Sequence, residues 1–464
     1  MMNFQIGAYF RRTRLFVLVA VAFVVVVAGP MPSRSLAQTT APTFTSVSCP
    51  DISWVDSDPT FNALPNAHAF FGTYGGGLYR IEIPANWNGE LILAAHGFTT
   101  TAGPTGNVLS VGFDSPQISF PFAPGLDPSL RGHLIDNGFA WAASSYRCNG
   151  YIPGIGLQDT MLLRDIFLQK NGGVAPKHTY LIGISMGGHI VDLGMQEFPT
   201  AFDGGIAYCA ASAGEFDYLN SAGAAVEVVT GLQFTTSDAV AQMMQVNAIL
   251  GARGSYTAAG NALGSIKVNI TGGPRPFAVE GINAMFGDTF SAAILTGATD
   301  PYSRSATNQF VTYGIAPGLG FSADQLNAMV RRVAPDWTAR GPSGPYAETK
   351  PWTGNIQRPL LTIHDTGDFY VPINQEQVLY QAVARAGNSN LLVQRIVRAP
   401  GHCNFSAQEV IQTFDDGIMW FEHGVRPAGD NVMGDLRNAG LQFTNPLRPG
   451  DPGTLDFSPP AAVQ

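Results

Sequence analysis

The chain has 464 residues, of which 45% are hydrophobic and 13% charged, with a net charge of −9. That balance excludes general disorder and argues against nucleic acid as a partner, because phosphate binding calls for a basic face. The length suits one large domain with an insertion, and 53 Gly and 32 Pro at low charge suggest a loop-rich exported protein.

The N-terminus points the same way. Arg11, Arg12 and Arg14 make a positive segment, Leu15 to Ala28 is apolar, and Ser35-Leu36-Ala37 before Gln38 has small-x-small cleavage chemistry. This pattern predicts a signal peptide over residues 1–37 and a secreted or periplasmic protein. A membrane anchor would need about 18 to 20 unbroken apolar residues, whereas this run is cut by Gly29-Pro30. No later stretch reads as a bilayer span.

Residues 38 to about 65 read as an N-terminal arm. Leu78 to Pro84 alternates apolar and polar residues like a half-buried strand, and Leu91 to Ala95 is a continuous apolar run like a fully buried one. It ends at His96-Gly97-Phe98. A Gly/Pro/Ser/Thr-rich loop follows, then a helix over Leu130 to Asn137, a strand over Phe139 to Ala143, and a helix over Asp159 to Gln169. The next strand ends in Gly183-Ile184-Ser185-Met186-Gly187, with a helix to about Phe198 and a strand over Ile206 to Ala211. From Gly214 to Thr349 the sequence is helical and loop-like. Val240, Met243, Met244, and then Leu326, Met329, Val330 and Val333 behind the capping box Ser322-x-x-Gln325, are spaced for helix packing. Strand and helix then alternate again: Pro359 to Ile363, Gln375 to Ala386, Leu391 to Val397, and Ala407 to Phe421 behind Ser406-x-x-Glu409. The tail after Gly424 reads as surface-wrapping. The alternation predicts a mostly parallel α/β sheet covered on both faces.

Gly-x-Ser-x-Gly between a strand and a helix is the pattern of a nucleophile elbow, with Gly183 and Gly187 allowing the sharp turn. A serine hydroxyl is a weak nucleophile and needs a base, an acid to orient the base, and oxyanion donors. In open sheets these gather at strand carboxyl ends. The base is expected in His402, between the last strand and the last helix. His364 is its rival, and His189 on the elbow helix reads as structural. For the acid, Asp368 is preferred to Asp365, with Glu215 and Asp217 as another placement. The amides of Phe98 and Met186 are the expected oxyanion donors, with His96 and Gly97 shaping that loop.

The four cysteines, Cys49, Cys148, Cys209 and Cys403, suggest disulfides in one of three connectivities, or buried thiols. Without C-x-x-C spacing neither zinc nor redox chemistry is indicated. No metal or organic cofactor is implied.

Taken together, the elbow, the His96-Gly97 strand end, the Asp loop and the late His402 resemble the α/β-hydrolase superfamily, whose chain order is Ser, Asp, His. The resemblance covers Leu78 to Gly424 outside the insertion. His364 to Pro372 is similar to the family's His-Gly-x-x-Asp-x-x-Val-Pro segment, which implies Asp368 as acid, although Asp365 stands where Gly is usual. Pro84 to Gly97 and Gly401 to Phe405 resemble secreted bacterial esterase- and peptidase-like hydrolases. Tannases and feruloyl esterases are more distant. They bridge the residue before the serine to the one after the histidine, and Ile184 forbids that here. This suggests that Cys403 pairs with Cys209, leaving Cys49 with Cys148. The resemblance divides the chain into core (38–213), cap insertion (214–349), core (350–424) and tail (425–464). It implies an esterase acting on a small or polymeric ester in a largely apolar pocket, with a peptidase or amidase, acyl transferase, C–C hydrolase or catalytically silent binding protein as alternatives. Oligomeric state is left open.

Overall fold

The structure is a computed structural model that describes residues 61–75, 77–98, 130–147, 151–212, 215–233, 239–285, 306–340, 352–443 and 452–459. The expected signal peptide, Cys49 and Cys148 lie outside these residues. No helix among the described residues is long and apolar enough to cross a membrane.

Eight strands form one sheet: β1 (Ala67–Tyr74), β2 (Gly77–Pro84), β3 (Glu90–Ala95), β4 (Ala140–Ser144), β5 (His178–Ile184), β6 (Gly204–Tyr208), β7 (Leu360–Gly367) and β8 (Leu392–Pro400). Their spatial order is β1-β2-β4-β3-β5-β6-β7-β8. β2 runs antiparallel to β1 and β4, and all other neighbours are parallel. This order, with one reversed strand near the first edge, is the α/β-hydrolase fold.

The apolar strands read as continuous runs because both faces are covered. In β3, Leu91, Leu93 and Ala95 enter one core while Ile92 and Ala94 enter the other, as the two-residue period of a strand requires. The first face is packed by α2 (Pro153–Lys170), α3 (Met186–Glu197) and α8 (Asn374–Arg385). The second is packed by α1 (Leu130–Asp136) and α9 (Ala407–His423).

Between β6 and β7 lie α4 (Glu215–Thr230), α5 (Ala239–Leu250), α6 (Ala258–Ile270) and α7 (Ala323–Met329). They build a separate core from Val226, Leu250, Leu263, Ile266, Tyr313 and Leu326, joined by Phe369 and Phe457. Two methionines assigned to packing from their spacing, Met244 and Met329, are exposed instead. Among the described residues of this segment, the buried apolar side chains chiefly pack into that core.

The strand β1 has no counterpart among the expected elements, and two further expectations are corrected. α2 begins at Pro153 rather than Asp159, because proline suits a first helical turn and Gly156 packs where a Cβ would meet Ile190 at 2.5 Å. The tail does more than wrap the surface. Asp430 N donates to the Gln394 carbonyl at 2.6 Å and Asp430 Oδ2 accepts from Ile396 N at 2.9 Å, so the tail closes the free edge of β8. Its Val432, Leu436 and Ala439 are buried with Ile373 and Ile396.

Candidate active site

Ser185 sits between β5 and α3 with φ 57° and ψ −119°, a strained conformation for a residue with a side chain. The neighbouring backbones leave it no alternative. A Cβ on Gly183 would lie 2.1 Å from the Gly187 oxygen, and one on Gly187 would lie 2.0 Å from the Ala95 oxygen. The turn therefore closes only with glycine at both positions, and the serine hydroxyl is left at the N-terminus of α3.

His402 and Asp368 stand in series with it. His402 Nε2 is 2.8 Å from Ser185 Oγ, and His402 Nδ1 is 2.6 Å from Asp368 Oδ2. The other Asp368 oxygen accepts from the amides of Tyr370 at 2.9 Å and Val371 at 3.0 Å. With Nδ1 donating to the carboxylate, Nε2 is free to take a proton from the hydroxyl. Tyr370 packs edge-on against the imidazole, with ring centroids 5.6 Å apart.

Asp365 does not occupy the acid position. β7 runs through it to Gly367, and Asp365 Oδ2 accepts from Asn404 N at 2.7 Å, so it anchors the loop that carries His402. A second anchor is the disulfide between Cys209 at the end of β6 and Cys403. The cluster of Cys209, His402 and Cys403 is where metal-ligating atoms converge among the described residues. Its two sulfurs are bonded to each other, which leaves no thiolate to hold a metal.

On the other side of Ser185 runs the chain of His96, Gly97 and Phe98. A Cβ on Gly97 would lie 3.3 Å from Ser185 Cβ, so the backbone passes directly beside Ser185. His96 stacks on Tyr146 at 4.0 Å, and its Nδ1 is 2.8 Å from the Gly97 oxygen. Burial draws its pKa down to about 4, so it is neutral at pH 7. Phe98 is 48% exposed. Met186 opens α3, where the first amides of a helix have no intrahelical acceptor.

The remaining candidates serve elsewhere. His189 Nδ1 is 2.8 Å from the Tyr151 hydroxyl, and burial draws its pKa to about 3. Asp217 is held by Arg340 through two bonds, 2.7 and 2.5 Å, and by the amide of Thr307 at 2.8 Å. The Glu215 side chain lies outside the described residues. His364 is buried on β7 between Glu376 and Asp368. Sequence reading missed that setting, as it missed Arg275 of the insertion, whose Nε donates to the Thr366 carbonyl at 2.7 Å. Neither contact follows from a local motif.

No family model matches the chain, and no curated protein sequence matches it. Among solved structures it is similar to feruloyl esterase B from Aspergillus oryzae, with 16% identity, a TM-score of 0.42, and coverage of 78% of this chain and 81% of that one. It is also similar to the rice cell wall degrading esterase LipA from Xanthomonas oryzae, at 13% identity and a TM-score of 0.34, covering 77% and 88%. For the Pyrococcus horikoshii acylaminoacyl peptidase the values are 13% and 0.37, covering 79% of this chain and 43% of that one. The α/β-hydrolase fold of this chain rests on its own strand order.

Proposed function

We propose that the protein is a serine hydrolase that cleaves carboxylic esters through an acyl-enzyme. The observation that carries this reading is the unbroken series of Ser185 Oγ, His402 and Asp368 at 2.8 and 2.6 Å, with the serine on a strained turn. Ser185 attacks the ester carbonyl while His402 takes its proton, and Asp368 orients the imidazole and stabilises its charged form. The amides of Phe98 and Met186 receive the oxyanion. His402 then protonates the departing alcohol, and water attacks the acyl-enzyme with His402 as base.

An aminopeptidase would need free carboxylates for the substrate amine. Asp217 is engaged by Arg340 and Thr307, which favours ester over peptide. Exposed Phe98, the residue after Gly97, and Tyr370 beside His402 suit an apolar or aromatic ester, small or polymeric. Export to a periplasmic or extracellular space is part of the same proposal, and the Cys209–Cys403 disulfide is at home there.

The test is Ser185→Ala assayed on aryl esters of graded acyl length beside matched p-nitroanilides. We expect the folded variant to lose at least about 1,000-fold in kcat/KM and the wild type to prefer esters. Retained ester turnover in the variant would overturn the mechanism. Failure of a fluorophosphonate to label Ser185 would point to a hydrolase-shaped binding protein, and ester formation with an added alcohol to an acyl transferase.

A further inference from the structure

The acid side of the site holds more buried polarity than a triad requires. His364 lies on β7, four residues before Asp368, and is fully buried. Its Nε2 is 2.7 Å from the Val371 carbonyl oxygen and 3.9 Å from Asp368 Oδ2, and its Nδ1 is 3.3 Å from Glu376 Oε1. All three partners are oxygen acceptors. Glu376, on α8, takes hydrogen bonds on its other oxygen from Thr362 Oγ1 at 2.6 Å and Gln394 Nε2 at 2.5 Å. Asp192 of α3 also faces this pair. It is bonded by the Ser212 hydroxyl, and burial pushes its carboxyl well above the usual range. From the insertion, the guanidinium of Arg275 lies in the field of Asp368.

We propose that His364 is a positioning residue for the reaction: a buried imidazolium that, paired with Glu376, grips Val371 and thereby sets the Asp368 carboxylate towards His402. The backbone of Val371 is held on both sides of its Cα. Val371 N–H donates to Asp368 Oδ1 at 3.0 Å, and Val371 C=O accepts from His364 at 2.7 Å. A neutral imidazole has one N–H. Its other nitrogen would turn a lone pair on the Val371 oxygen or on the Glu376 carboxylate, and the turn behind Asp368 would loosen.

Burial alone would strip the second proton, but Glu376, Asp368 and the Val371 carbonyl outweigh it and lift the pKa to about 9. The folded value lies above the unfolded one, about 6.5. The stabilisation is therefore complete below the unfolded pKa and is lost as pH rises through about 9. Activity should decline over the same alkaline range.

This inference rests on the hydrolase reading of Ser185, and its test has one arm that needs no turnover. Ester kcat/KM is followed from about pH 6 to about pH 10.5 for wild type, His364→Gln and Glu376→Gln, and the ring nitrogens of His364 are followed by 15N NMR in the wild type. We expect a wild-type alkaline limb with a midpoint near 9. His364→Gln should lose roughly tenfold in kcat with little change in KM and should lack that limb. In Glu376→Gln the limb should move to lower pH, because burial then acts without the counter-ion. At about pH 7.5 both ring nitrogens should carry protons. A singly protonated ring at that pH, or an unchanged alkaline limb in His364→Gln, overturns the proposal. A doubly protonated ring in a protein with no ester turnover at any pH would overturn the hydrolase reading, and the positioning role with it.

Discussion

Ser185 and its two partners are held by opposite means. Around Ser185, backbone meets backbone. Gly183, Gly187 and Ala95 approach so closely that no side chain fits between them, and no charge takes part. Around Asp368 and His402 the grip is polar and covalent: His364 with Glu376, Arg275 on the Thr366 carbonyl, Asp365 on the Asn404 amide, and the Cys209–Cys403 disulfide. Steric closure is insensitive to solvent conditions and leaves no intermediate settings. A polar and disulfide grip can be loosened by pH or by reductant, so the two halves of the site should fail differently.

The steric half should fail abruptly. Gly187→Ala places a Cβ 2.0 Å from the Ala95 oxygen and within 2.8 Å of the His96 oxygen. Both are main-chain atoms of the sheet and its exit loop and cannot rotate away. We expect a loss of roughly 4 kcal/mol or more, read by chemical denaturation, together with loss of ester turnover. A variant that unfolds at the wild-type denaturant concentration would show that the elbow can relax and that the contrast is overstated.

The same contrast explains what could be read before the structure was known. Close backbone packing leaves a local signature, two glycines around a serine between a strand and a helix, so the elbow is legible. Asp368 and His402 are legible because strand ends and a capping box bracket their loops. The pairing of His364 with Glu376 joins β7 to α8 across the first face of the sheet, and no spacing encodes it. Asp365 was placed after its strand because apolar residues stop at Ile363, whereas β7 continues through the buried polar His364, Asp365 and Thr366. The edge strand β1 was invisible because its residues are mostly half-buried and lack two-residue alternation. The path of the tail is set by Asp430 bonding to a strand edge, a contact between segments remote in sequence.

The covalent part of the other half should fail by degrees. Replacing both Cys209 and Cys403 with serine removes a link between residues 194 positions apart, and we expect a loss of about 3 kcal/mol in stability. Asp365 still holds Asn404 N, so kcat/KM should fall by no more than about tenfold. Treating the wild type with a strong thiol reductant should reproduce both changes. A total loss of activity in a folded variant would mean that the disulfide alone positions His402.

Charge burial on the acid side also has a cost that substitution can reveal. Lys267 of α6 is buried beneath Phe369, the residue after Asp368, with its ammonium 5.6 Å from the ring centroid. Burial draws its pKa down to about 7. The folded state then sheds a proton that the unfolded chain keeps up to about 10.4, so stability climbs with pH between those values. Lys267→Met should remove that climb and stabilise the protein by about 2 kcal/mol at neutral pH or below. The advantage should fade towards the unfolded lysine pKa. Thermal unfolding of both proteins across that range checks the sign, and equal pH slopes would show that the lysine is already compensated in place.

The smallest effect is expected at the start of α9, where the polar grip meets ordinary helix capping. Ser406 Oγ accepts from Glu409 N at 3.2 Å, and Glu409 Oε2 accepts in return from Ser406 N at 2.7 Å. Ser406→Ala deletes the first bond, together with the 2.9 Å bond that Ser406 Oγ donates to Glu409 Oε2, and leaves the second, so a loss of about 1 kcal/mol is expected. His402 lies four residues earlier and is tied separately by the neighbouring disulfide and through Asn404 to Asp365. The melting temperature should therefore fall while kcat/KM stays within about twofold. In the background of the double cysteine variant the same substitution should add its cost without amplification if the cap and the disulfide act independently. A larger loss there, in stability or in kcat, would show that the helix start and the disulfide share the work of placing His402, extending the polar side of the site one element further than its hydrogen bonds to Asp368 reach.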